Sequence, residues 1–462
     1  MIHHEDSIVA ISTPQGSGAL GVIRVSGADA ISLVDGIFSK DISKAEGYSI
    51  HFGQIKRGEQ ILDEVLATVF RSPRSFTKED VVEISCHGSP FILREVLGLI
   101  LEKGARLAKA GEFTQRAYLN GAMDLAQAEA VADLIASQSA GAHKLAMNQM
   151  RGGVSSELKA LREQLLNFTS LIELELDFGE EDVEFADRSQ LEALVKEILA
   201  KVQTLIESFR LGNAIKQGVP TVIIGKPNAG KSTLLNTLLN DNRAIVSDIP
   251  GTTRDVIEDR VVIEGIEFRL MDTAGVRETE DVIEAEGVKR TLKLAHSASL
   301  LIYLFDCQTE TPEQAATFIN RLELSDEVQV LSIGNKLDAL TDPKAYAQEH
   351  DTDISGQYPW IIISARDKLH MDAFRSLMLD AVNNFSNVHE GHTLISNARH
   401  LSALQKAETA LYDVQNAMQL GVSGDLLSID IRTVLHHIGE ITGEISTDEV
   451  LGNIFSKFCI GK

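Results

Sequence analysis

The segment Gly225-Lys-Pro-Asn-Ala-Gly-Lys-Ser232 follows the pattern G-x-x-x-x-G-K-S and decides the fold of the central part of the chain. The apolar run Thr221–Ile224 precedes it, and the helix-like run Thr233–Leu239 follows it. Glycines in such a loop let backbone N–H groups and the helix N-terminus face an anion. The segment therefore predicts an α/β domain that binds a nucleoside triphosphate. Lys231 would contact its β and γ phosphates, and Ser232 would bind Mg²⁺.

Two segments supply further candidate groups for the metal ion and the γ-phosphate. Asp272-Thr-Ala-Gly275 ends the apolar run Phe268–Met271. Its carboxylate can hold Mg²⁺ through water, and the N–H of Gly275 can meet the γ-phosphate. Gly251-Thr-Thr-Arg-Asp255 lies between this motif and the glycine-rich loop, where a switch segment would supply Thr253 to the metal.

A third pair of motifs indicates which base is bound. Asn335-Lys-Leu-Asp338 follows an apolar run, and Asp338 can accept hydrogen bonds from N1 and the 2-amino group of guanine. Adenine does not offer these donors, so a buried carboxylate discriminates strongly against it. Ser364-Ala365 follows the next run, where a main-chain amide can meet the guanine oxygen. Each motif alone could be an ordinary turn, but their order predicts a GTP site. The candidate residues are Asn228, Ala229, Gly230, Lys231, Ser232, Thr233, Ser247, Asp248, Ile249, Pro250, Gly251, Thr252, Thr253, Asp272, Thr273, Ala274, Gly275, Asn335, Lys336, Asp338, Ser364 and Ala365.

Composition excludes several classes of protein. The 462 residues predict about three domains. No run of about 18 apolar residues suggests a membrane span, and the N-terminus lacks the pattern of a signal peptide. Three cysteines without C-x-x-C spacing favour a reducing cytoplasm and no structural zinc. The net charge of −24 argues against a protein that coats nucleic acid by charge alone.

The periodicity of apolar residues predicts the domain organisation. Residues 1–120 show short β-rich runs around one helix, and residues 216–382 alternate strand and helix. Residues 121–215 and 383–462 show apolar residues at helical spacing. The fold class expected is therefore multidomain α/β and α. An N-terminal α+β domain is followed by a discontinuous helical domain, into which a Ras-like P-loop domain is inserted.

Motifs over the whole chain carry a family resemblance. The central domain contains G-x-P-N-A-G-K-S-T, G-T-T-R-D, D-T-A-G-x-R and N-K-x-D, and the chain ends in Phe455-Ser-Lys-Phe-Cys-Ile-Gly-Lys462. Segments within 8–27, 79–88, 111–120 and 124–135 match as well. The chain resembles the MnmE (TrmE) family of tRNA-modifying GTPases, within the TrmE-Era-EngA-like group. The resemblance implies a GTPase acting as a heterotetramer with the flavoprotein MnmG (GidA). Together they would place an aminomethyl or carboxymethylaminomethyl group at C5 of the wobble uridine of tRNA.

The resemblance also implies how GTP would be hydrolysed. Val276 stands where Ras-like enzymes place a water-orienting glutamine, and it cannot hydrogen-bond water. The family uses K⁺ beside the phosphates, completed when two G domains face each other in a homodimer, and a switch glutamate that orients water. By position that glutamate is Glu284, although its residue pattern alone also fits a solvated carboxylate at a helix start. The implied K⁺ ligands are Asn228, Ser247, Ile249 through its backbone, and Thr252.

For the N-terminal domain the resemblance implies dimerisation and binding of a 5-formyl-tetrahydrofolate-type one-carbon donor. The family's pocket residues fall on Arg24, Glu83 and Lys462. Glu83 could accept hydrogen bonds from the pterin edge, and the two cations could meet carboxylate or carbonyl oxygens. Related sequences often carry a lysine where this chain has Ala122. Cys459 in the shared tail is either a catalytic thiol close to the one-carbon chemistry or a small packed residue.

Two other functions stay open from the sequence. A GTPase switch in ribosome assembly would form no covalent product and would need an RNA-binding module, of which the motifs show no sign. A folate-dependent transferase could use the G domain only for regulation. The pair His436–His437 lacks a neighbouring cysteine or histidine cluster, which favours ordinary core or surface histidines over a metal site.

Overall fold

The computed structural model describes residues 6–177, 188–241, 258–271, 295–296, 298–325, 327–342, 345–346, 358–385 and 393–461. The chain divides into two compact units. The first comprises Met1–Ala132, Gln149–Glu163 and Leu435–Lys462, and the second comprises Asp133–Asn148 and Gln164–Val434. Among the helices in those ranges, none has the length and apolar character needed to cross a membrane.

The first unit contains a six-stranded sheet. Its strands are β1 (Ile8–Ile11), β2 (Leu20–Ser26), β3 (Ser49–Arg57), β4 (Gln60–Phe70), β5 (Val81–His87) and β6 (Arg106–Leu107), in the order β3-β4-β5-β2-β1-β6. The helices α1 (Ala30–Asp35), α2 (Pro90–Glu102) and α3 (Glu112–Leu119) complete this region. Alternate residues such as Ile23, Val25 and Ile84 are buried in the core, as period-2 patterning requires. The β-rich runs and the helix expected here are present, but strands β1 and β3 were not predicted.

The second unit contains the P-loop sheet. Its strands are β7 (Val219–Ile224), β8 (Glu258–Ile263), β9 (Ile266–Met271), β10 (Leu300–Asp306), β11 (Gln329–Asn335) and β12 (Trp360–Ile362), in the order β12-β11-β10-β7-β9-β8. The strands β7, β9, β10, β11 and β12 pair in parallel, as an alternation of strand and helix favours, and β8 joins antiparallel to β9. Residues 300–305 are all buried, which explains the unbroken apolar run. The helices α8 (Lys231–Asp241), α9 (Pro312–Asn320) and α10 (Met371–Asn383) belong to the same unit.

The remaining helices are α4 (Leu125–Ala136), α5 (Ala140–Met150), α6 (Gly153–Asp177), α7 (Arg188–Gln217), α11 (Ala398–Gln419), α12 (Gly424–Thr442) and α13 (Asp448–Phe455). The helical spacing of apolar residues expected from the sequence is found in the four longest of them, α6, α7, α11 and α12. In the second unit α7 packs against α11. A Cβ on Gly212 would lie 2.1 Å from the carbonyl oxygen of Ile395, so this glycine permits the close crossing of the segment before α11. The predicted multidomain α/β and α fold class is confirmed.

Candidate functional site

The candidate nucleotide site lies at one edge of the P-loop sheet. The parallel strands β7, β10 and β11 end at Ile224, Asp306 and Asn335, so their following loops meet at the same edge. The chain order reverses beside β7, because β9 lies on one side of it and β10 on the other. In open α/β sheets, ligands bind at the carboxyl edge where the strand order reverses.

The glycine-rich loop adopts a conformation that requires its glycines. Gly225 has φ +155° and Gly230 has φ +100°, and a Cβ on Gly225 would lie 2.0 Å from the carbonyl oxygen of Leu304. Helix α8 begins at Lys231, two residues earlier than predicted. The Lys231 ammonium donates to the carbonyls of Gly225 and Lys226 at 2.8 and 2.9 Å. The lysine therefore lies along the loop, beside the N-terminus of α8 where an anion is stabilised.

Asn335 joins the glycine-rich loop to the segment after β12. Its side-chain amide donates to the carbonyl of Ala229 at 2.8 Å and accepts from the N–H of Ala365 at 3.0 Å. Thr237 on α8 donates to the carbonyl of Ala365 at 2.8 Å. A Cβ on Gly230 would lie 2.1 Å from the Asn335 amide nitrogen. Three loops that are distant in sequence are thus held in one arrangement by buried polar contacts.

The Asp338 carboxylate is fixed at the same edge. The hydroxyl of Ser364 donates to Asp338 Oδ1 at 2.6 Å, and Arg366 Nη2 lies 2.7 Å from Oδ2. The Asp338 side chain is 12% exposed, whereas that of Arg366 is 71% exposed. The carboxylate is therefore oriented by a serine and paired with an exposed arginine at the surface. Lys336, with φ +67°, pairs with Asp306 at 2.7 Å.

The structure brings together Asn228, Ala229, Gly230, Lys231, Ser232, Thr233, Asn335, Lys336, Asp338, Ser364 and Ala365 at this edge. The other predicted residues lie outside the described residues: Ser247, Asp248, Ile249, Pro250, Gly251, Thr252, Thr253, Asp272, Thr273, Ala274, Gly275 and Glu284. Three further residues of the site, Thr237, Asp306 and Arg366, were not predicted from the sequence. No pattern in the sequence reveals these three residues, because their contacts depend on how the strands pack.

In the first unit, Arg24 and Glu83 form a pair. They are register partners on β2 and β5, and Arg24 Nε donates to Glu83 Oε1 at 2.8 Å. The Arg24 guanidinium lies 5.3 Å from the ring centroid of Phe76 and 5.6 Å from that of Phe113. Two predicted ligand residues therefore contact each other between aromatic rings, which the sequence did not indicate. Lys462 lies outside the described residues.

A buried ionic network lies beside this pair. Arg116 is fully buried and contacts Asp6 at 2.6 Å, Glu79 at 3.2 Å and Glu112 at 3.3 Å. Arg106 also reaches Asp6 and Glu112. Burial opposes ionisation of Asp6 and Glu112, but the hydrogen bonds from the arginines outweigh it and lower the pKa of both carboxyls. Glu112 and Arg116, which lie in the family-like segment 111–120, therefore join the N-terminal residues, the segment around Glu79 and α3 through buried ion pairs.

The C-terminal tail packs within the first unit. Ala110 and Ile460 form an antiparallel bridge, and Ser12 donates to the carbonyl of Gly461 at 3.1 Å. Cys459 is exposed, whereas burial raises the pKa of Cys86 and of Cys307 to about 12. The tail thus presents an accessible thiol, while the other two thiols stay protonated at neutral pH.

Comparisons with known proteins cover the whole chain. The family model described as "MnmE helical domain" matches residues 125–459, and that described as "GTP-binding protein TrmE N-terminus" matches residues 7–122. The "tRNA modification GTPase MnmE" of Cytophaga hutchinsonii is 53% identical over 461 residues, which cover 100% of this chain and 98% of that protein. The chain belongs to the MnmE family. The MnmE of Christiangramia forsetii is 48% identical and covers 99% of both chains.

One solved structure of a protein outside the MnmE family resembles only part of the chain. Era in complex with MgGDPNP and nucleotides 1506–1542 of 16S ribosomal RNA covers 41% of this chain and 65% of its own, at 24% identity. The TM-score of this superposition is 0.29.

The turn that contains Ala122 carries a lysine contact. Ala122 is exposed, and the neighbouring Gly121 carbonyl accepts a hydrogen bond from Lys78 Nζ at 2.6 Å. Lys78 therefore brings an ammonium group to this turn.

Proposed function

We propose that this chain hydrolyses GTP to GDP and phosphate in the course of tRNA modification, as the name of its relatives states for them. The observation that carries the proposal is the joining of the glycine-rich loop, Asn335 and the Asp338 carboxylate at one sheet edge. The glycine-rich loop would bind the phosphates, and the Asp338 carboxylate would accept hydrogen bonds from guanine. Together they form the two ends of a GTP site. Membership of the MnmE family supports the same activity.

The positions of the residues that would bind the nucleotide indicate their roles. Lys231 would leave the loop carbonyls to contact the β and γ phosphates, since a phosphate oxygen is a stronger acceptor for an ammonium. Ser232, exposed in the first turn of α8, offers a hydroxyl of the hard-oxygen type that Mg²⁺ prefers. The sequence indicates Thr253 as the second protein ligand of Mg²⁺. Mg²⁺ would neutralise charge on the phosphates.

We assign the domains as the sequence indicates. Residues 1–120 form the N-terminal folate-binding and dimerisation domain, and 216–382 form the G domain. Residues 121–215 and 383–462 form the two parts of the helical domain, the second with its C-terminal tail. The two separate six-stranded sheets support the first two assignments. Three free cysteines, two of them buried, support a reducing cytoplasm.

Hydrolysis would depend on K⁺. Asn228, at the exposed turn of the glycine-rich loop with φ +60°, offers a side-chain oxygen to a cation beside the phosphates. Ser247, Ile249 and Thr252 would supply the remaining oxygen ligands. A monovalent cation there would stabilise the charge that an arginine stabilises in other GTPases. Glu284 would orient the attacking water.

Turnover is therefore expected to fall at least about tenfold when K⁺ is replaced by Na⁺ at constant ionic strength. The Glu284→Ala variant is expected to lose about 100-fold in kcat in K⁺. The rate of phosphate release from GTP at saturating Mg²⁺ measures both the effect of the salt and the effect of the substitution. Equal turnover in the two salts, or wild-type turnover by the variant, would contradict this mechanism.

The first unit would bind the folate donor. Ile50, Thr68, Glu83 and Arg24 are successive register partners across β3, β4, β5 and β2, so they share one face of the sheet. Glu83 could turn from Arg24 to the pterin amino-pyrimidine edge, and the half-buried ring of Phe76 offers a flat apolar surface. The Gly461 carbonyl contacts Ser12, close to the register position of Arg24, which supports roles for Lys462 and Cys459 at the same ligand.

The same sheet face supports a homodimer. Ile50, Phe52 and Leu66 are 65%, 56% and 44% exposed, and Phe52 and Leu66 are register partners. Exposed apolar groups side by side on one sheet face are typical of an interaction surface. We assign this face to a second copy of the chain, with the flavoprotein MnmG and tRNA as further partners. Because the net charge is −24, the tRNA contact would be local or provided largely by the flavoprotein.

Nucleoside analysis of bulk tRNA tests the reaction. A deletion strain is expected to lose the aminomethyl-type groups at C5 of the wobble uridine, and the full-length gene should restore them. The Lys231→Ala variant should not restore them, because GTP binding would be lost. Unchanged wobble uridines together with accumulated ribosomal subunits would instead favour a GTPase of ribosome assembly.

A further inference from the structure

Three potential metal ligands meet near the carboxyl end of α12. Glu440 Oε1 lies 3.5 Å from His436 Nε2, and Glu440 Oε2 lies 3.2 Å from His437 Nδ1. The two imidazole rings lie 5.3 Å apart at 82°. One ligand atom of each residue lies within 4.8 Å of those of the other two. The structure thus adds a carboxylate to a histidine pair that has no neighbouring cysteine or histidine cluster in the sequence.

The separations suit a tetrahedral transition metal. Bonds of about 2.0–2.2 Å at tetrahedral angles place neighbouring ligand atoms about 3.4 Å apart. Both histidine–carboxylate separations lie within a few tenths of an ångström of that value. To share one ion, both nitrogens and one oxygen would close from separations of at most 4.8 Å to about 3.4 Å through side-chain rotation. Two imidazoles and a carboxylate form a donor set that suits Zn²⁺.

The position on the helix favours a cation and gives it access. Helix α12 ends at Thr442, so the three residues occupy its last two turns, where the negative end of the helix dipole stabilises positive charge. His436 is 50% exposed, Glu440 34% and His437 19%, so an ion can enter from solvent and keep one position open. Ile438 and Ile441 are fully buried, and they fix the helix that carries the ligands.

We propose that His436, His437 and Glu440 bind one Zn²⁺ ion with an open fourth coordination position. The next residues along the chain are anchored within the same unit, since Tyr118 donates to the carbonyl of Gly443 at 2.5 Å and Arg162 pairs with Glu444. Bound Zn²⁺ would hold the last turns of α12 against fraying. It would raise the thermal stability of that end of the helix.

The site can be tested by titrating the untagged, metal-free, full-length chain with Zn²⁺ in a calorimeter. Mg²⁺ and GDP are present to occupy the candidate nucleotide site. The expected result is one Zn²⁺ per chain. His437→Gln and Glu440→Gln should each weaken binding by at least about tenfold, because each removes a direct ligand. The visible spectrum of the Co²⁺-loaded chain should show the intense bands of tetrahedral coordination, and both variants should lose them.

Two controls separate this site from other features of the chain. His143→Gln, at an exposed histidine on α5, should leave Zn²⁺ binding unchanged, and so should Cys459→Ser. Circular dichroism and GTP turnover of the His437 and Glu440 variants should match wild type. Binding that is absent, or that is equal in wild type and both variants, would overturn the proposal without affecting the GTPase assignment.

Discussion

Asp338→Asn is expected to reverse the nucleotide preference of the chain from GTP to xanthosine triphosphate. The preference for GTP, measured as a ratio of kcat/KM values, should fall by on the order of 10⁴-fold, because a buried acceptor pair that matches guanine is replaced. The asparagine would donate to the 2-oxo group of xanthine and accept from its N1–H. Competition between the two nucleotides in one hydrolysis assay measures the ratio directly.

The geometry around Asp338 explains why the effect should be large. Ser364 fixes one carboxylate oxygen at 2.6 Å, and the side chain is only 12% exposed. A guanine in this position would displace Arg366, whose side chain is 71% exposed and can turn into solvent at little cost. With asparagine, the guanine 2-amino group would face another donor, and a buried donor without an acceptor is costly.

Asp367→Asn is the matched control. Asp367 is 44% exposed and pairs with Arg366, but it contacts Ser364 only through its backbone N–H. This variant should keep the wild-type preference for GTP. If Asp338→Asn also kept that preference, Asp338 would not contact the base, and the guanine assignment would fail.

The P-loop sheet was predictable because each of its buried strands is marked by a short apolar run that is continuous in the sequence. Strands buried on both faces give unbroken apolar runs, and the run at 300–305 is fully buried as expected. Strand β8 was missed because it lies at the edge of the sheet and begins with Glu258, Asp259 and Arg260, which resemble a polar loop. Strand β3 was missed because it interleaves glycine and exposed side chains.

The sites were predictable only in part, because several of their contacts join distant residues. The pairing of Arg24 with Glu83 depends on the register of β2 and β5, which no local pattern reveals. The contact of Arg366 with Asp338 depends on the loop after β12. The spacing of His436 and Glu440, four residues apart on a helix, could have been found from the sequence.

Replacing Arg116 by methionine is expected to destabilise the first unit by about 3–5 kcal/mol. Arg116 is fully buried, and its guanidinium compensates Glu112 and Glu79, whose side chains are 2% and 12% exposed. Methionine keeps much of the packing but leaves these carboxylates with less positive charge around them. Hydrogen exchange should therefore accelerate by about 10²- to 10⁴-fold in β1, β2 and α3, which mass spectrometry of the corresponding peptides measures.

Arg57→Met is the matched control, since Arg57 makes ion pairs with Glu95 and Glu102 but is 42% exposed. Exposed pairs contribute about 0–1 kcal/mol, so its exchange should stay near wild type. Trp360, the only tryptophan of the chain, lies on β12 of the second unit, and its fluorescence should report unchanged unfolding there. Equal exchange in the Arg116 and Arg57 variants would show that the network does not hold the unit.

The destabilisation by Arg116→Met should depend on pH in one direction. The pKa values of Asp6 and Glu112 are lowered in the folded chain from ordinary values of 3.8 and 4.5. Groups with lowered folded pKa values stabilise the fold above their unfolded pKa, and this contribution is lost as pH falls through the folded pKa. The difference between wild type and variant should therefore be full at pH 7 and shrink below about pH 4, as protonation removes the unbalanced negative charge. A difference that stayed constant across this range would indicate that Arg116 acts through packing rather than charge.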